Sequence, residues 1–355
     1  MQQTYRVIGL MSGTSLDGLD IAYCIFSEQG KTWKFSIEKA ATVNYDGNWR
    51  KVLQQAHKLS AADILKLHNT YGEYLGKATA KFIKDNAIKK VDFVASHGHT
   101  IFHQPEKKFT FQLGSGAALT AACKLPVVND FRSLDVALNG QGAPLVPIGD
   151  KLLFGEYKHC INLGGFANIS FDNKGKRIAF DICPVNIVLN HLASLNGKEF
   201  DKGGRMAASG SIDKDLYKKL NNLPYYKQNP PKSLGREWVE EVFMHVLNKS
   251  KLPTEDKMAT VVMHIAEQIA GIIRSQKNGK VLLTGGGAFN TFLVEQIQGL
   301  LPSCEIVIPS DEIVKYKEAL IFAFLGVLRW EGKDNCLASV TGASTNNKGG
   351  TIYLV

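Results

Sequence analysis

Gly9-Leu10-Met11-Ser12-Gly13-Thr14-Ser15-Leu16-Asp17-Gly18-Leu19-Asp20 is the stretch from which the rest of the chain can be read. An apolar run at residues 5–10 enters it, and a second β-prone run at 21–26 leaves it. Such runs on either side of a small, glycine-rich connection predict a β-hairpin. A purely structural hairpin needs only about two turn residues, and this tip is longer. Gly13 and Gly18 would let the backbone approach a ligand closely. Ser12, Thr14 and Ser15 add hydroxyls, and consecutive N–H groups in such a turn can form an anion-binding concavity. Asp17 and Asp20 would repel a phosphate unless a cation lay between, and Mg2+ suits that place, since it is held by one or two carboxylates plus phosphate oxygens. The alternative is a solvated hairpin tip whose acidic residues hold nothing.

Working outward, residues 33–43 read as a third strand, which makes a meander, followed by helices at 49–59 and 61–85. In the second helix Ile64, Leu65, Leu67, Leu75, Ala78 and Phe82 recur at helical spacing and predict a core-facing stripe. Residues 91–95 read as a short buried strand ending in Ser96-His97-Gly98-His99-Thr100. Strand 110–113, Gly114-Ser115-Gly116, a small-residue helix at 117–123 and strand 125–128 follow. The second half repeats this grammar. Strand 159–162, a turn at Gly164-Gly165, return strand 168–171 and a third strand at 177–181 make another meander. Helices near 186–195, 237–249 and 255–275 precede strand 280–284, the turn Gly285-Gly286-Gly287, a helix at 290–300, strand 305–308 and a helix at 317–330. Residues 224–235, with three prolines, read as a loop between helices. Two lobes of like construction imply an internal duplication at fold level. The expected division is 1–145 and 146–355, with the extreme C-terminus allowed to return to the first lobe.

A chain of 355 residues exceeds the usual single-core size. Its net charge of +9 is spread over short lysine pairs without aromatic interleaving. Nucleic-acid binding would need a clustered basic stripe, so no nucleic-acid partner is expected. The six cysteines are scattered without a zinc spacing and read as reduced core thiols. No charged-then-apolar leader precedes the first strand, and no apolar run reaches membrane-spanning length. A cytoplasmic protein without a membrane partner is expected.

The glycine turns of the two lobes would face each other across a deep interlobe cleft and grip a polyphosphate from both ends. Gly285–Gly287, between strand and helix, is a third close-approach point, suited to a nucleoside or α-phosphate. There is no GxxxxGK[ST] and no GxGxxG, which disfavours P-loop and Rossmann sites. Asp181 closes an apolar strand and is a candidate general base; alternatively it caps the helix that starts near Asn186. Glu318, at the start of an apolar helix, either joins Asp17 at a cation or favours the helix dipole. His97, His99 and His103 lie at alternate strand positions, but nearby carboxylate or cysteine partners are missing, which disfavours a metal there. Arg132 is either a partner of Asp130 or a clamp for a substrate carboxylate or phosphate. Arg236-Glu237 reads as a helix-start pair.

Eight motifs then carry a resemblance: GLMSGTSLDGLD, SHGHTIFH, NDFR, NGQGAPLVP, NLGGFANIS, KSLGRE, TGGGAFN and SVTGAS, in that order and across essentially the whole chain. The sequence resembles the anhydro-N-acetylmuramic acid kinases, of the sugar kinase/actin/heat-shock ATPase superfamily. The resemblance implies an α/β, two-lobed, actin-like or ribonuclease H-like duplicated fold. It also implies a carbohydrate kinase of cell-wall (peptidoglycan) recycling, using ATP and Mg2+. Such an enzyme hydrolytically opens 1,6-anhydro-N-acetylmuramic acid and phosphorylates O6, giving N-acetylmuramic acid 6-phosphate. Carried over, Ser12, Gly13, Thr14, Ser15, Leu16, Asp17, Gly18, Leu19 and Asp20 would hold ATP phosphates. Gly164, Gly165, Gly285, Gly286 and Gly287 would flank the nucleotide. Asp17 and Glu318 would serve Mg2+, Asp181 would be the base, and His97, Arg132, Asn186 and Glu318 would meet the sugar. A homodimer is implied as well.

Three departures cluster around the sugar. Asp181 is followed by Ile182-Cys183-Pro184-Val185-Asn186 where the family usually continues Thr-Gly-Pro-Gly-Asn. Ser115 replaces an Asp between glycines, and His99 replaces a Gln. They motivate two alternatives. One is a kinase for another 1,6-anhydrosugar, such as levoglucosan; the other is a nucleotide-gated sugar-binding protein without turnover.

Overall fold

The computed structural model describes residues 3–13, 16–30, 32–276 and 279–355. By contacts the chain forms two compact units, Met1–Leu153 with Tyr316–Val355, and Phe154–Lys315.

In the first unit, β1 (Thr4–Ser12), β2 (Gly18–Gln29) and β3 (Thr32–Asn44) form the antiparallel meander, with Ser12 opposite Leu19 at the hairpin end. β4 (Phe93–Gln104) lies parallel to β1, and β6 (Val127–Asn129) parallel to β4. β5 (Phe109–Leu113) folds back antiparallel on the far end of β4, and the C-terminal β12 (Thr351–Tyr353) pairs antiparallel with β6. The sheet therefore runs β12-β6-β4-β1-β2-β3. β1 is buried on both faces, which is why its sequence is a continuous apolar run. Ile8 and Leu10 pack among Tyr71, Leu75 and Phe82 of helix α2 (Ala61–Asp85), which follows α1 (Gly47–Gln55). Opposite them, Gly9 meets the backbone of the helix Asp311–Trp330; a Cβ at Gly9 would lie 2.0 Å from the Ala319 carbonyl oxygen. Any side chain there would push that helix off the sheet.

In the second unit, β7 (His159–Leu163), β8 (Phe166–Asn173) and β9 (Lys176–Pro184) make the antiparallel meander. β10 (Lys280–Thr284) is parallel to β7 and β11 (Glu305–Val307) is parallel to β10. The order β11-β10-β7-β8-β9 repeats the β6-β4-β1-β2-β3 order of the first unit, strand for strand and sense for sense. A meander whose first strand continues into parallel crossover strands is the ribonuclease H-like arrangement, and its presence twice is the actin-like duplication.

Several expectations are corrected. The strand expected at 91–95 runs on to Gln104, because Ser96, His97 and His99 are buried with partners instead of forming a turn. Gly98 is what lets it continue: its φ is +74°, and a Cβ would lie 2.3 Å from the Leu113 carbonyl oxygen. On α2, Leu65 is exposed. The buried face is Tyr71, Gly72, Leu75, Gly76, Thr79 and Phe82, because Gly72 and Gly76 admit the small-residue helix α3 (Gly116–Cys123) at near-backbone distance. The helix expected at 317 starts at Asp311. Residues 224–235 begin with a short 3-10 turn, Pro224–Lys227. All six cysteines are free thiols, Cys123 half-buried and the others buried. No helix among the described residues is long and apolar enough to cross a membrane.

Candidate active site

The two units carry separate groups of candidate residues. In the first, the β1–β2 tip begins at Ser12, whose side chain is buried. Tyr45 Oη donates to Ser12 Oγ at 2.7 Å, and Ser12 Oγ lies 2.9 Å from His99 Nδ1. Tyr71 Oη lies 2.6 Å from Tyr45 Oη. A consistent direction runs Tyr71 to Tyr45 to Ser12 to His99 Nδ1, which leaves the proton of a neutral His99 on Nε2. Burial lowers the His99 pKa to about 4, so it is uncharged at neutral pH. The Ser12 hydroxyl thus anchors the loop from within. Thr14 and Ser15 lie outside the described residues. Leu16 has φ of 60°, and its N–H bonds back to the Gly13 carbonyl at 3.4 Å. Gly18 is needed for packing: a Cβ there would lie 2.6 Å from the Val43 carbonyl oxygen of β3. Leu19 is buried behind it.

Asp17 is exposed and Asp20 half-buried. Thr42 Oγ1 donates to Asp20 Oδ1 at 2.6 Å. Burial raises the Asp20 carboxyl above its ordinary range, and the Asp17 charge adds to the rise against the Thr42 bond. Like charges held together in this way suit a cation. Glu318 lies one residue before the Ala319 contact with Gly9. It is open to solvent on one side yet crowded enough that desolvation raises its carboxyl; Arg132 and Lys317 oppose the rise, and Asp20 adds to it. The buried Lys317–Asp150 ion pair, at 2.7 Å, ties this end of the helix to α5 (Val146–Leu153). Among the described residues no three His, Cys, Asp or Glu side chains converge as a closed metal cage. The carboxylate whose charge reaches Glu318 is that of Asp20, and Mg2+ bound with phosphate needs no more than one or two carboxylates.

The three histidines diverge. His97 Nδ1 bonds the Gly98 carbonyl at 2.9 Å, and His97 Nε2 accepts from Arg132 Nε at 3.0 Å. His103 Nδ1 meets Thr110 Oγ1 at 3.0 Å. Burial first, then the Arg132 charge, holds His97 well below the usual histidine pKa, so it is a neutral acceptor. Arg132 also donates through a terminal nitrogen to the Gly142 carbonyl at 2.6 Å. Asp130 instead accepts from the hydroxyl of Ser133, at 2.5 Å, so the Asp130–Arg132 pair is not formed. Burial lowers the Arg132 pKa to about 10, which still leaves it a cation.

In the second unit, Gly164 and Gly165 close the β7–β8 hairpin. Their carbonyls accept from Val185, Asn186 and Ile187 N–H at the start of α6 (Asn186–Leu195). Asn186 Nδ2 donates to the Leu163 carbonyl at 3.1 Å. Gly285 has φ of +80°, and its Cβ would meet Asn162 Oδ1 at 2.5 Å; Gly287 packs on Leu163 and Gly286 faces Asn186. The strand end, both glycine turns and Asn186 therefore form one cluster.

Asp181 does not close its strand as expected, because pairing with β8 carries β9 on to Pro184; it lies inside β9, opposite Asn168, where the pairing slips by one residue between Ala167 and Asn168. Such bulges re-aim side chains. Val185 occupies the N-cap position of α6 without a side-chain cap, so Asp181 is not that cap. Asp181 Oδ2 accepts from Leu234 N–H at 2.9 Å. Its backbone is clasped by Tyr225 Oη, which donates to the Asp181 carbonyl at 2.6 Å, and by the Lys232 carbonyl. Burial raises the Asp181 carboxyl above its ordinary range, and the Leu234 bond opposes the rise. Sequence reasoning missed Tyr225, Lys232 and Leu234, although the proline-rich stretch that carries them was visible. Arg236 pairs with Glu240 at 2.7 Å, both exposed, and not with Glu237.

The family model for anhydro-N-acetylmuramic acid kinase matches residues 5–355. An anhydro-N-acetylmuramic acid kinase of Francisella tularensis subsp. novicida (strain U112) is 33% identical over 97% of this chain and 97% of its own length. One of Clostridioides difficile (strain 630) is 34% identical, covering 95% of each chain. Among solved structures, the activator of the 2-hydroxyisocaproyl-CoA dehydratase from Clostridium difficile with bound ADPNP aligns over 93% of this chain and 97% of its own, at 14% identity and a TM-score of 0.41; nothing further rests on that likeness. Twice-built sheets and glycine turns at strand ends coincide with a sequence match over nearly the full length, and this chain belongs to the anhydro-N-acetylmuramic acid kinase family.

Proposed function

We propose that this chain opens 1,6-anhydro-N-acetylmuramic acid with water and phosphorylates its O6 from ATP, giving N-acetylmuramic acid 6-phosphate and ADP. The observation that carries the reading is Asp181: a carboxylate with one oxygen fixed by Leu234 N–H and a pKa raised by burial. A base of that kind is poised to take a proton. Asp181 accepts a proton from the water whose oxygen bonds to C1. The C1–O6 bond breaks, O6 bonds to the γ-phosphorus, and the bridging oxygen of ATP leaves with ADP. An ether oxygen is a poor nucleophile until its bond to C1 breaks, so one base drives both events.

The remaining assignments follow the chemistry of the side chains. Residues Ser12 to Asp20, with Gly164, Gly165 and Gly285–Gly287, would hold the nucleotide, largely through backbone groups. Mg2+ at Asp17 and Glu318 would supply charge neutralisation on the phosphates. Arg132, a cation with donors beyond those given to His97 and Gly142, would take the lactyl carboxylate. His97 and Asn186 would complete the sugar contacts. Such an enzyme would work in the cytoplasm, and a homodimer is its expected state, open to a sedimentation test. The direct test of function is ADP release with a panel of anhydrosugars, with the phosphate position read by NMR. The reading expects the muramic acid derivative to be preferred over levoglucosan. Equal use of both would remove Arg132 as the carboxylate clamp.

A further inference from the structure

The NGQGAPLVP stretch does structural work that the proposed reaction does not yet use, and it centres on Asp135. Asp135 lies on α4 (Ser133–Ala137), directly after Arg132, and its side chain is fully buried. A buried carboxylate is costly unless its lone pairs are filled. Here Oδ1 accepts from Cys336 Sγ at 2.9 Å, Thr341 Oγ1 at 2.9 Å and Asn347 Nδ2 at 2.8 Å. Oδ2 accepts from Gly142 N–H at 2.8 Å. Gly140 is what admits the carboxylate, since a Cβ there would lie 2.1 Å from Oδ2. Gly142 has φ of +66°, and its carbonyl accepts the Arg132 guanidinium. Both ends of the Gly142 residue are thus used, the N–H by Asp135 and the C=O by Arg132.

We propose that Asp135 is a positioning residue for Arg132, and that through it the C-terminal segment Cys336–Asn347 sets how tightly the sugar is held. The inference rests on the reading that Arg132 meets the sugar. The carboxylate fixes the Gly142 peptide, the peptide fixes the guanidinium, and the three C-terminal donors fix the carboxylate. Asparagine at 135 presents an amide to groups that all donate, so either Gly142 or the C-terminal segment loses its acceptor. The guanidinium then loses its fixed direction, and misplacement by about 1 Å costs on the order of 100-fold in rate constants.

The test is a double-mutant cycle on Arg132→Ala and Asp135→Asn, with kcat/KM for the anhydrosugar and KM for ATP measured separately. The expected result is a fall of about 10- to 100-fold in sugar kcat/KM for Asp135→Asn, with KM for ATP changed by less than about twofold. In the Arg132→Ala background the second substitution should add less than about twofold, because both act through one group. Thr341→Val, which removes one donor at nearly constant volume, serves if Asp135→Asn does not fold. It should give a smaller fall with the same lack of additivity, while Cys336→Ser, which keeps a donor, should stay close to the parent. Multiplicative losses, or equal losses for ATP and sugar, would overturn the proposal and leave Arg132 in place. A silent Arg132→Ala would remove the Arg132 assignment itself, and this inference with it.

Discussion

In the first unit the β1–β2 hairpin opens into a tip whose Ser12 hydroxyl is drawn inward to Tyr45 and His99, while Asp17 stays exposed. In the second unit the corresponding β7–β8 hairpin closes at Gly164-Gly165, and its carbonyls are spent on the N–H groups of α6. One strand order thus supports opposite uses of the same position. In the first, a buried network stiffens the strand end and leaves the Asp17 carboxylate outward. In the second, the turn caps its own helix, and the carboxylate proposed as the base, Asp181, comes from the third strand of the meander. Duplication of the sheet supplies two rigid strand ends; the loops decide what each one does.

The largest effect should come from the second unit. Asp181→Asn is expected to lower turnover by about 10²- to 10⁴-fold, the range for a lost general base, with ATP affinity by calorimetry nearly unchanged. Normal turnover in that variant would place the base elsewhere. The same carboxyl sets a pH dependence. Its pKa is raised in the folded state, so the folded protein holds the proton more tightly than the unfolded one. Stability from this group is present at low pH and is lost as pH rises from the unfolded value through the folded one. Asp181→Asn should therefore leave the melting temperature at neutral pH unchanged or higher. The acid limb of kcat/KM should lie above the ordinary carboxylate range, and a limb at or below about pH 3.9 would contradict the assignment.

A smaller effect should come from the first unit's tip. Asp17→Ala is expected to raise KM for Mg-ATP by about tenfold, as one lost charge contact of a metal–phosphate group, with sugar affinity little changed. Calorimetry showing the reverse order would break the contrast between the units. Glycines of the second unit sharpen it further. Gly285→Ala meets Asn162 and Leu163 and requires φ of +80°, so it should cost about 1–3 kcal/mol of stability. Nothing lies within 4 Å of a Cβ at Gly165. Gly165→Ala should change stability by less than about 0.5 kcal/mol, so weaker ATP binding in that variant would report ligand approach alone. Tyr45→Phe, which removes one donor to Ser12, should cost about 1 kcal/mol in chemical denaturation.

The hairpin and both meanders were legible in the sequence because each is a local pattern, whereas Asp181, expected to end its strand, lies inside β9. Ile8 and Leu10 read as strand whichever helix covers them. The extent of β4 was not legible. Ser96-His97-Gly98-His99-Thr100 has the composition of a turn, and only Ser12 and Arg132, distant in sequence, explain how its histidines stay buried in a strand. The core face of α2 was legible in part: Leu67, Leu75, Ala78 and Phe82 face the core as their spacing predicts, but Leu65 does not, and Gly72 and Gly76, buried by the small residues of α3, carry no apolar signal. Asp181 could be suspected from its place after Ile178-Ala179-Phe180, but its orientation depends on the N–H of Leu234, a backbone donor with no signature of its own. Asp135 had no signal beyond a lone acid in a short helix, because its partners come from the loop at 140–142 and the C-terminal segment.

The most direct measurement is the mass and NMR spectrum of the sugar product after incubation with ATP, Mg2+ and 1,6-anhydro-N-acetylmuramic acid. The account predicts sugar-dependent ADP release and a product that has gained both a water and a phosphoryl group, with phosphate on O6 and a free anomeric carbon. A phosphorylated sugar with its anhydro ring intact, or ADP release that the sugar does not accelerate, would contradict it.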